Sequence, residues 1–215
     1  MKRVLPIALR PPGGRHGGGT SLLPHPSSWY KTAHGRSVPP GCGPGWCRRN
    51  GNFTGTTEEI LRWAARKWGI DQNMVFAQAA VESWWRQTAK GDRESSGCPP
   101  GHGPGVDGRR GLCPQSWGIL QNRYPYEKSS WPGIARSTAM NADTAYGIWR
   151  ACFDGYETWL NTVQHGQVYK AGDAWGCIGR WFAGRWHTQP ARQYVAKVGQ
   201  YLRQKIWKTK NFQQP

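Results

Sequence analysis

A single carboxylate, Glu82, stands in an otherwise apolar stretch of the chain, AQAAVESWW at residues 77–85. The Ala, Val and Trp residues around it predict a helix that is enclosed by protein. Burial disfavours the charged form of a carboxyl group, and so does the C-terminal end of a helix. Both effects raise the pKa of Glu82, as a general acid working near neutral pH requires. The stretch therefore predicts a proton donor at Glu82.

Cleavage of a glycosidic bond is one reaction that needs such a donor, because the leaving oxygen must be protonated. A hydrolase of the usual kind also needs a second carboxylate, about 5–10 Å from the first. The candidates are Asp92, Glu94 and Asp107, and the sequence does not choose between them. The alternative for Glu82 itself is a structural ion pair with Arg86, four residues further along the predicted helix.

The element that must position Glu82 is a predicted helix over residues 72–86. Asp71 can accept hydrogen bonds from the amides of the first turn, which makes it the expected N-cap. Gln78 lies four residues before Glu82, so the two side chains form one narrow polar stripe.

Most of the remaining chain from residue 56 onwards also predicts helices. Thr56 and Glu59 have the spacing of a capping box, and Gly69 is a natural helix stop. Further helices are predicted to begin at Asn141 or Asp143, to continue beyond Gly155, and to run from Pro190 to Trp207. Residues 88–114 are rich in Gly and Pro and predict a long loop or a small hairpin. The expected fold class is therefore all-α.

Four short motifs follow one another along the chain: VES at residues 81–83, SWGILQ at 116–121, NADTAY at 141–146 and WFAG at 181–184. Their order and spacing resemble the lysozyme-like superfamily, especially the soluble lytic transglycosylases and goose-type lysozymes. In those families a helix-borne Glu-Ser precedes a Ser-x-Gly-Leu-Met-Gln turn, an Asn-led helix and an Ala-Tyr-Asn-Ala-Gly segment. The resemblance covers residues 56–207 and implies a lysozyme-like globular domain there.

The resemblance also implies roles for individual positions, with Glu82 as the catalytic acid. Trp181 stands where the family has a Tyr beside that acid, and Phe182 stands in place of its Asn. An indole has no hydroxyl with which to orient a carboxyl group. Leu120 occupies the usual Met position of the turn. Together with Trp181, the residues implied to bind substrate are Ser83, Ser116, Gly118, Leu120, Gln121 and Asn141.

The resemblance implies an enzyme that cleaves the β-1,4 bond between N-acetylmuramic acid (MurNAc) and N-acetylglucosamine (GlcNAc) in peptidoglycan, without a cofactor or metal. Lytic transglycosylation, which leaves 1,6-anhydro ends, is favoured because none of the three candidate carboxylates has a sequence context that suits a hydrolytic partner for Glu82. A hydrolytic lysozyme on the same fold is the alternative. Because Trp181 and Phe182 depart from the family pattern, a cell-wall-binding protein without catalytic activity is a further alternative.

The net charge of +17 is a further indication of function. Residues 1–50 hold eight Lys or Arg and no acidic residue. Such a charge attracts polyanions, so a basic nucleic-acid-binding module is another alternative. No zinc-finger, helix-turn-helix or other nucleic-acid-binding signature is visible. Peptidoglycan and anionic cell-wall polymers are therefore the expected binding partners, and nucleic acid is not expected to bind. The protein is expected to be a monomer.

The six cysteines predict three disulfides and an oxidising compartment. Closure of local loops suggests the pairs Cys42–Cys47, Cys98–Cys113 and Cys152–Cys177. A zinc site at Cys98, His102 and Cys113 is the competing interpretation.

The chain is expected to act outside the cell or at the cell wall, although its start, MKRVLPIALR, has an apolar run shorter than that of a usual signal peptide. No apolar run approaches the roughly 18 residues that a membrane helix needs. Residues 1–55 predict a basic, mostly disordered tail, 56–207 the domain and 208–215 a C-terminal tail. Among fourteen tryptophans, those in predicted loops are candidates for an open groove, namely Trp117, Trp131 and Trp186.

Overall fold

The protein is a helix-dominated mixed fold that also contains a small antiparallel sheet. The computed structural model describes residues 30–31, 37–38 and 49–212. The helices in this part are α1 (Thr57–Trp68), α2 (Gln72–Ser83), α3 (Gly133–Arg136), α4 (Thr138–Phe153), α5 (Ala174–Ala183) and α6 (Gln189–Gln204). The strands are β1 (Tyr30–Lys31), β2 (Ser37–Val38), β3 (Lys90–Glu94), β4 (Cys113–Trp117) and β5 (Asn122–Arg123). Single 3-10 turns occupy Lys128–Ser130, Thr158–Asn161 and Ile206–Lys208.

The prediction of a mainly helical fold is confirmed, but the fold is mixed rather than all-α, because β3, β4 and β5 form a three-stranded antiparallel sheet in that order. The small hairpin that was one alternative for residues 88–114 corresponds to the pairing of β3 with β4. β1 and β2 pair with each other as a separate two-stranded ribbon. β3 has the sequence KGDRE and alternates only between exposed and half-buried positions, whereas every residue of β4 is buried. Neither strand therefore shows the alternation of apolar and polar residues by which a half-buried strand is recognised.

Helix α2 is enclosed by protein, as predicted, and contacts both α1 and α6. Its residues 74–80 are all buried. The Asp71 side chain accepts a hydrogen bond from the Met74 amide at 2.9 Å, which confirms the N-cap. The helix ends three residues before the predicted Arg86. Trp84 and Trp85 adopt left-handed backbone conformations, with φ of 57° and 59°, and turn the chain away from the helix axis.

The ends of the other helices follow their capping residues. The capping box of Thr56 and Glu59 is present, and Gly69 ends α1 in the left-handed conformation, as predicted. Helix α4 begins earlier than expected, because Ser137 caps it by accepting from the Met140 amide at 3.1 Å. Asn141 and Asp143, the predicted caps, are buried inside that helix. The predicted helical segment beyond Gly155 is only the short 3-10 turn, and α6 ends at Gln204.

Parts of the two predicted tails contact the helical part. Residues 49–51 dock beside α4, where the amides of Asn50 and Gly51 donate to the Asp143 carboxylate. At the other end of the chain, the Phe212 ring lies 4.7 Å from that of Trp84. Residues 1–29, 32–36 and 39–48 of the predicted N-terminal tail lie outside the described residues.

Two of the three predicted disulfides are formed, Cys98–Cys113 and Cys152–Cys177. The first closes the loop between β3 and β4, and the second joins α4 to α5. The alternative zinc site is wrong because two of its ligands are consumed by the first disulfide. Within the described residues, no group of three or more His, Cys, Asp and Glu could hold a metal ion. The predicted Cys42–Cys47 pair lies outside the described residues.

The two disulfides are compatible with a secreted protein. None of the helices in the described part of the chain is long and apolar enough to cross a lipid bilayer.

Candidate active site

Glu82 lies in the last turn of α2 and lines an open groove with a volume of about 770 Å³. The groove runs between the small sheet on one side and helices α5 and α6 on the other. Its wall on the sheet side includes Asp92, Ser116 and Gln121, and its helical wall includes Trp181, Phe182, Tyr194 and Lys197. A groove of this size, lined by aromatic and polar side chains, is suited to binding a polar ligand with apolar faces.

A hydrogen-bonded chain of side chains holds the Glu82 carboxyl group. The hydroxyl of Tyr194, on α6, donates to Oε1 of Glu82. Gln78, one turn before Glu82, hydrogen-bonds in turn to the Tyr194 side chain. The predicted polar stripe of α2 is therefore the part of the helix that faces Tyr194. The alternative ion pair with Arg86 is wrong, since the Arg86 guanidinium donates to the carbonyl oxygen of Ser83 at 3.0 Å.

The pKa of Glu82 is raised from 4.5 to about 7, and burial of the carboxyl group is the largest cause. A hydrogen bond from Tyr194 lowers this pKa, the negative charge of Asp92 raises it, and a hydrogen bond from the Trp181 side chain lowers it. Burial outweighs the two hydrogen bonds, because the loss of hydrating water disfavours the ionised form of the carboxyl group. Trp181 therefore supplies a donor to the acid in spite of having no hydroxyl.

Burial also raises the pKa of Tyr194 well above its ordinary value of 10, with a further contribution from the charge of Glu82. The phenol consequently keeps its proton throughout the physiological range. A neutral phenol can donate permanently to the carboxyl group, so Tyr194 fixes the position of Glu82 without competing for its proton.

Of the three candidates for a second carboxylate, Asp92 lines the groove. It accepts a hydrogen bond from the Ser116 hydroxyl of the neighbouring strand. Its backbone has a φ of 44°, an unusual value for a residue with a side chain. Glu94 instead pairs with Arg123, and Asp107 pairs with Lys90 and His102.

The SWGILQ segment forms the turn that joins β4 to β5. The Asn141 side chain holds this turn through two hydrogen bonds. Its amide nitrogen donates to the Trp117 carbonyl at 2.7 Å, and its oxygen accepts from the Leu120 amide at 2.9 Å. Gly118 has a φ of 73°, and a Cβ there would lie 2.4 Å from the Asn141 side chain. Ser83 anchors the turn to α2 by donating to the Ile119 carbonyl at 2.8 Å.

The residues predicted to bind substrate therefore occupy three kinds of position. Ser116, Gln121 and Trp181 line the groove together with Glu82. Three others are buried and support the turn, namely Ser83, Leu120 and Asn141. Gly118 borders a second cavity of about 350 Å³, which is also lined by Trp117 and Trp131. Of the loop tryptophans predicted to line an open groove, Trp117 and Trp131 border this second cavity, whereas Trp186 is buried. None of the three lines the groove that contains Glu82.

Another residue of the groove wall, Arg180, belongs to a buried ion pair. Arg180 on α5 donates to both carboxylate oxygens of Glu157, with 2.6 Å between Nη2 and Oε1. Both side chains are only 2% exposed. The Arg180 guanidinium also lies 5.6 Å from the centre of the Trp159 ring. Mutual neutralisation makes this region polar without giving it a net charge.

Sequence reasoning missed Tyr194 as a functional residue and treated Phe182 only as a departure from the family pattern. The sequence contains one indication of the position of Tyr194. This residue precedes the buried Val198 of α6 by four residues, so its hydroxyl lies on the inward face of that helix. That spacing indicates burial, but it does not identify the partner. No protein-family model, curated protein or solved structure matches this chain.

Proposed function

We propose that this protein is a glycosidase that cleaves the β-1,4 bond between MurNAc and GlcNAc in peptidoglycan. The observation that carries the proposal is the Glu82 carboxyl group, which has a pKa of about 7 in an open groove. Because this pKa lies near neutrality, the group can act both as an acid and as a base. The resemblance in motif order supports the same assignment.

The groove and the charge of the protein support a polymeric, anionic substrate. The groove is open to solvent and lined by both aromatic and polar side chains, so a glycan chain could lie along it. The net charge of +17 favours association with negatively charged cell walls.

In the favoured reaction, Glu82 transfers its proton to the glycosidic oxygen as the bond from that oxygen to C1 of MurNAc breaks. The N-acetyl group of the same sugar stabilises the cationic centre. The C6 hydroxyl then bonds to C1 and returns its proton to Glu82. This sequence leaves a 1,6-anhydro ring and regenerates the acid. It requires one protein carboxyl group with a pKa near neutrality.

Hydrolysis is the second candidate, and the position of Asp92 favours it. Asp92 lines the same groove and is close enough for its charge to raise the pKa of Glu82. A second carboxylate so placed could accept a proton from an attacking water or stabilise the cationic centre directly. The product would then carry an ordinary reducing end.

The test is to incubate the protein with purified peptidoglycan and measure the masses of the soluble fragments. Transglycosylation gives fragments one water lighter than the hydrolysis products, without a reducing end. Hydrolysis gives reducing ends that borohydride converts to alcohols. Failure of the folded protein to release any fragment would contradict the proposed function.

A further inference from the structure

Phe182 presents an aromatic surface to the groove that the catalytic reaction does not use. Its side chain is 59% exposed although it is large and apolar. The ring stacks on that of Tyr194, with centroids 4.9 Å apart and planes 3° from parallel. Because Tyr194 is hydrogen-bonded to Glu82, the Phe182 ring is held at a fixed position relative to the acid. A rigid aromatic surface of this kind can stack against the C–H face of a sugar ring.

Two cationic side chains, Arg185 and Lys197, line the same wall of the groove. Among residues 49–212, neither forms an ion pair with a carboxylate, in contrast to Arg180, which is neutralised by Glu157. The Arg185 guanidinium donates to the Gly184 carbonyl at 2.9 Å, and the Lys197 ammonium lies 5.7 Å from the Tyr201 ring. These contacts leave both positive charges without a negative partner.

The arrangement along the chain brings the aromatic ring and the charges to one wall. Lys197 follows Tyr194 by three residues, so it stands on the same face of α6 as the ring on which Phe182 stacks. Arg185 follows Phe182 by three residues, just beyond the end of α5 at Ala183. The carboxyl groups that line the groove lie on other parts of the chain: Glu82 on α2, Asp92 on β3 and Glu127 before the 3-10 turn at Lys128–Ser130.

We infer that Phe182, Arg185 and Lys197 form a subsite for a sugar unit that carries a carboxylate. The inference rests on the proposed function and assigns the residues that recognise the acidic sugar of its substrate. The aromatic ring binds the apolar face of the sugar, and the two cations bind its acidic substituent. The lactyl group of MurNAc carries such a carboxylate, whereas a polymer of GlcNAc alone carries none. The subsite would therefore select acidic glycans over neutral ones.

The experiment compares two forms of one substrate, peptide-free peptidoglycan glycan with its lactyl carboxylates either intact or converted to methylamides. The wild-type protein should have the lower KM for the intact glycan. The double variant Arg185→Gln/Lys197→Gln should raise that KM about three- to tenfold, as expected for two exposed charge pairs. It should leave kcat, and the KM for the amidated glycan, unchanged.

The matched control is the double variant Arg203→Gln/Lys208→Gln. It removes the same charge from exposed positions outside the groove wall. If net charge alone attracts the substrate, both double variants will raise KM equally, and the subsite is then overturned. A third variant, Phe182→Ala, should raise KM for both glycans alike, on the order of tenfold for lost aromatic stacking.

A titration with catalytically inactive protein separates failure of this inference from failure of the proposed function. Both glycans are titrated into Glu82→Gln protein, with and without the Arg185→Gln/Lys197→Gln changes. If wild-type protein cleaves both glycans with equal KM, the proposed function stands and the subsite is overturned. If it cleaves neither, the proposed function fails, and the titration still decides the subsite. Tighter binding of the intact glycan that depends on the two cations supports the subsite, and any other result overturns it.

Discussion

The Tyr194 hydroxyl donates a hydrogen bond to Glu82 across a separation of 112 residues in the chain. This bond joins α6 to the last turn of α2 and sets one face of the groove. Because the pKa of Tyr194 is held far above neutrality, the donor is constant while Glu82 changes its protonation state. The pair therefore lets the acid titrate near pH 7 without losing its orientation.

Replacement of Glu82 by Gln should abolish cleavage of peptidoglycan and leave the fold intact. The change removes a proton donor at nearly constant volume, and loss of a general acid typically costs about 10²–10⁴-fold in rate. The measurement is the rate of turbidity loss in a cell-wall suspension, with circular dichroism to verify folding. A folded Glu82→Gln protein with full activity would remove Glu82 from the mechanism.

The same variant should be more stable than the wild-type protein at pH 8. Between pH 4.5 and about 7, Glu82 loses its proton in the unfolded chain while the folded protein keeps it. The stability of the wild-type protein therefore falls as the pH rises through this window, and the loss is complete above pH 7. Because Gln does not titrate, its advantage at pH 8 should be on the order of 1–3 kcal/mol. Urea unfolding at pH 4 and pH 8 measures the difference, and equal differences at the two pH values would contradict the raised pKa.

Replacement of Tyr194 by Phe should shift the alkaline limb of the kcat profile to higher pH. The Tyr194 hydrogen bond lowers the pKa of Glu82, so its removal raises that pKa further above 7. The lost orientation of the acid should also lower kcat by on the order of tenfold, as one hydrogen bond is worth about 0.5–1.5 kcal/mol. Tyr201→Phe is the control, because it removes a tyrosine hydroxyl from the same helix at a position that does not line the groove. A Tyr194→Phe profile with an unmoved limb would show that the hydroxyl does not act on Glu82.

Replacement of Asp92 by Asn should shift the alkaline limb of the kcat profile to lower pH. The charge of Asp92 raises the pKa of Glu82, so its removal lowers that pKa. If the reaction is transglycosylation, Asp92→Asn protein should still release anhydro fragments. Glu94→Gln is the matched control, since it removes a carboxylate from the same strand outside the groove wall. Reducing-end products that disappear only in Asp92→Asn protein would instead identify Asp92 as the second carboxylate of a hydrolase.

The cysteines should be oxidised in the native protein. Peptide mapping without reductant should recover Cys98 linked to Cys113 and Cys152 linked to Cys177. With the predicted third pair, the intact chain should weigh six hydrogens less than its reduced form. Six thiols titrated in the native protein would contradict both the pairing and the oxidising compartment.

Sequence alone predicts the helical framework because its signals are local. The capping box at Thr56, the stop at Gly69 and the apolar run of α2 each depend on residues within one or two turns. The end of α2 was misplaced because the left-handed conformations of Trp84 and Trp85 are not apparent in a run that otherwise favours helix. The sequence predicts a hairpin at residues 88–114 only as an alternative to a loop, because β3 carries no alternation of apolar and polar residues.

The candidate site was predictable only at residues with a local anomaly. Glu82 was identified because a carboxylate among apolar residues is unusual, and Gln121 because it belongs to a recognisable turn. Tyr194 could not be assigned to Glu82, since their contact depends on how α6 packs against α2. Asn141 lies in a recognised motif, but its two hydrogen bonds to the turn are visible only in three dimensions. Local patterns thus indicate candidate groups, and tertiary packing decides which of them meet.

The docking of residues 49–51 has a practical consequence for producing the protein. Asp143 is fully buried, and its carboxylate accepts from the side chains of Lys67 and Trp68 and from the amides of Asn50 and Gly51. A shortened fragment that starts at residue 56 would lose two of these donors, at a cost of about 1–3 kcal/mol for an incompletely bonded buried group. A recombinant fragment intended for crystallisation should therefore begin no later than Arg49.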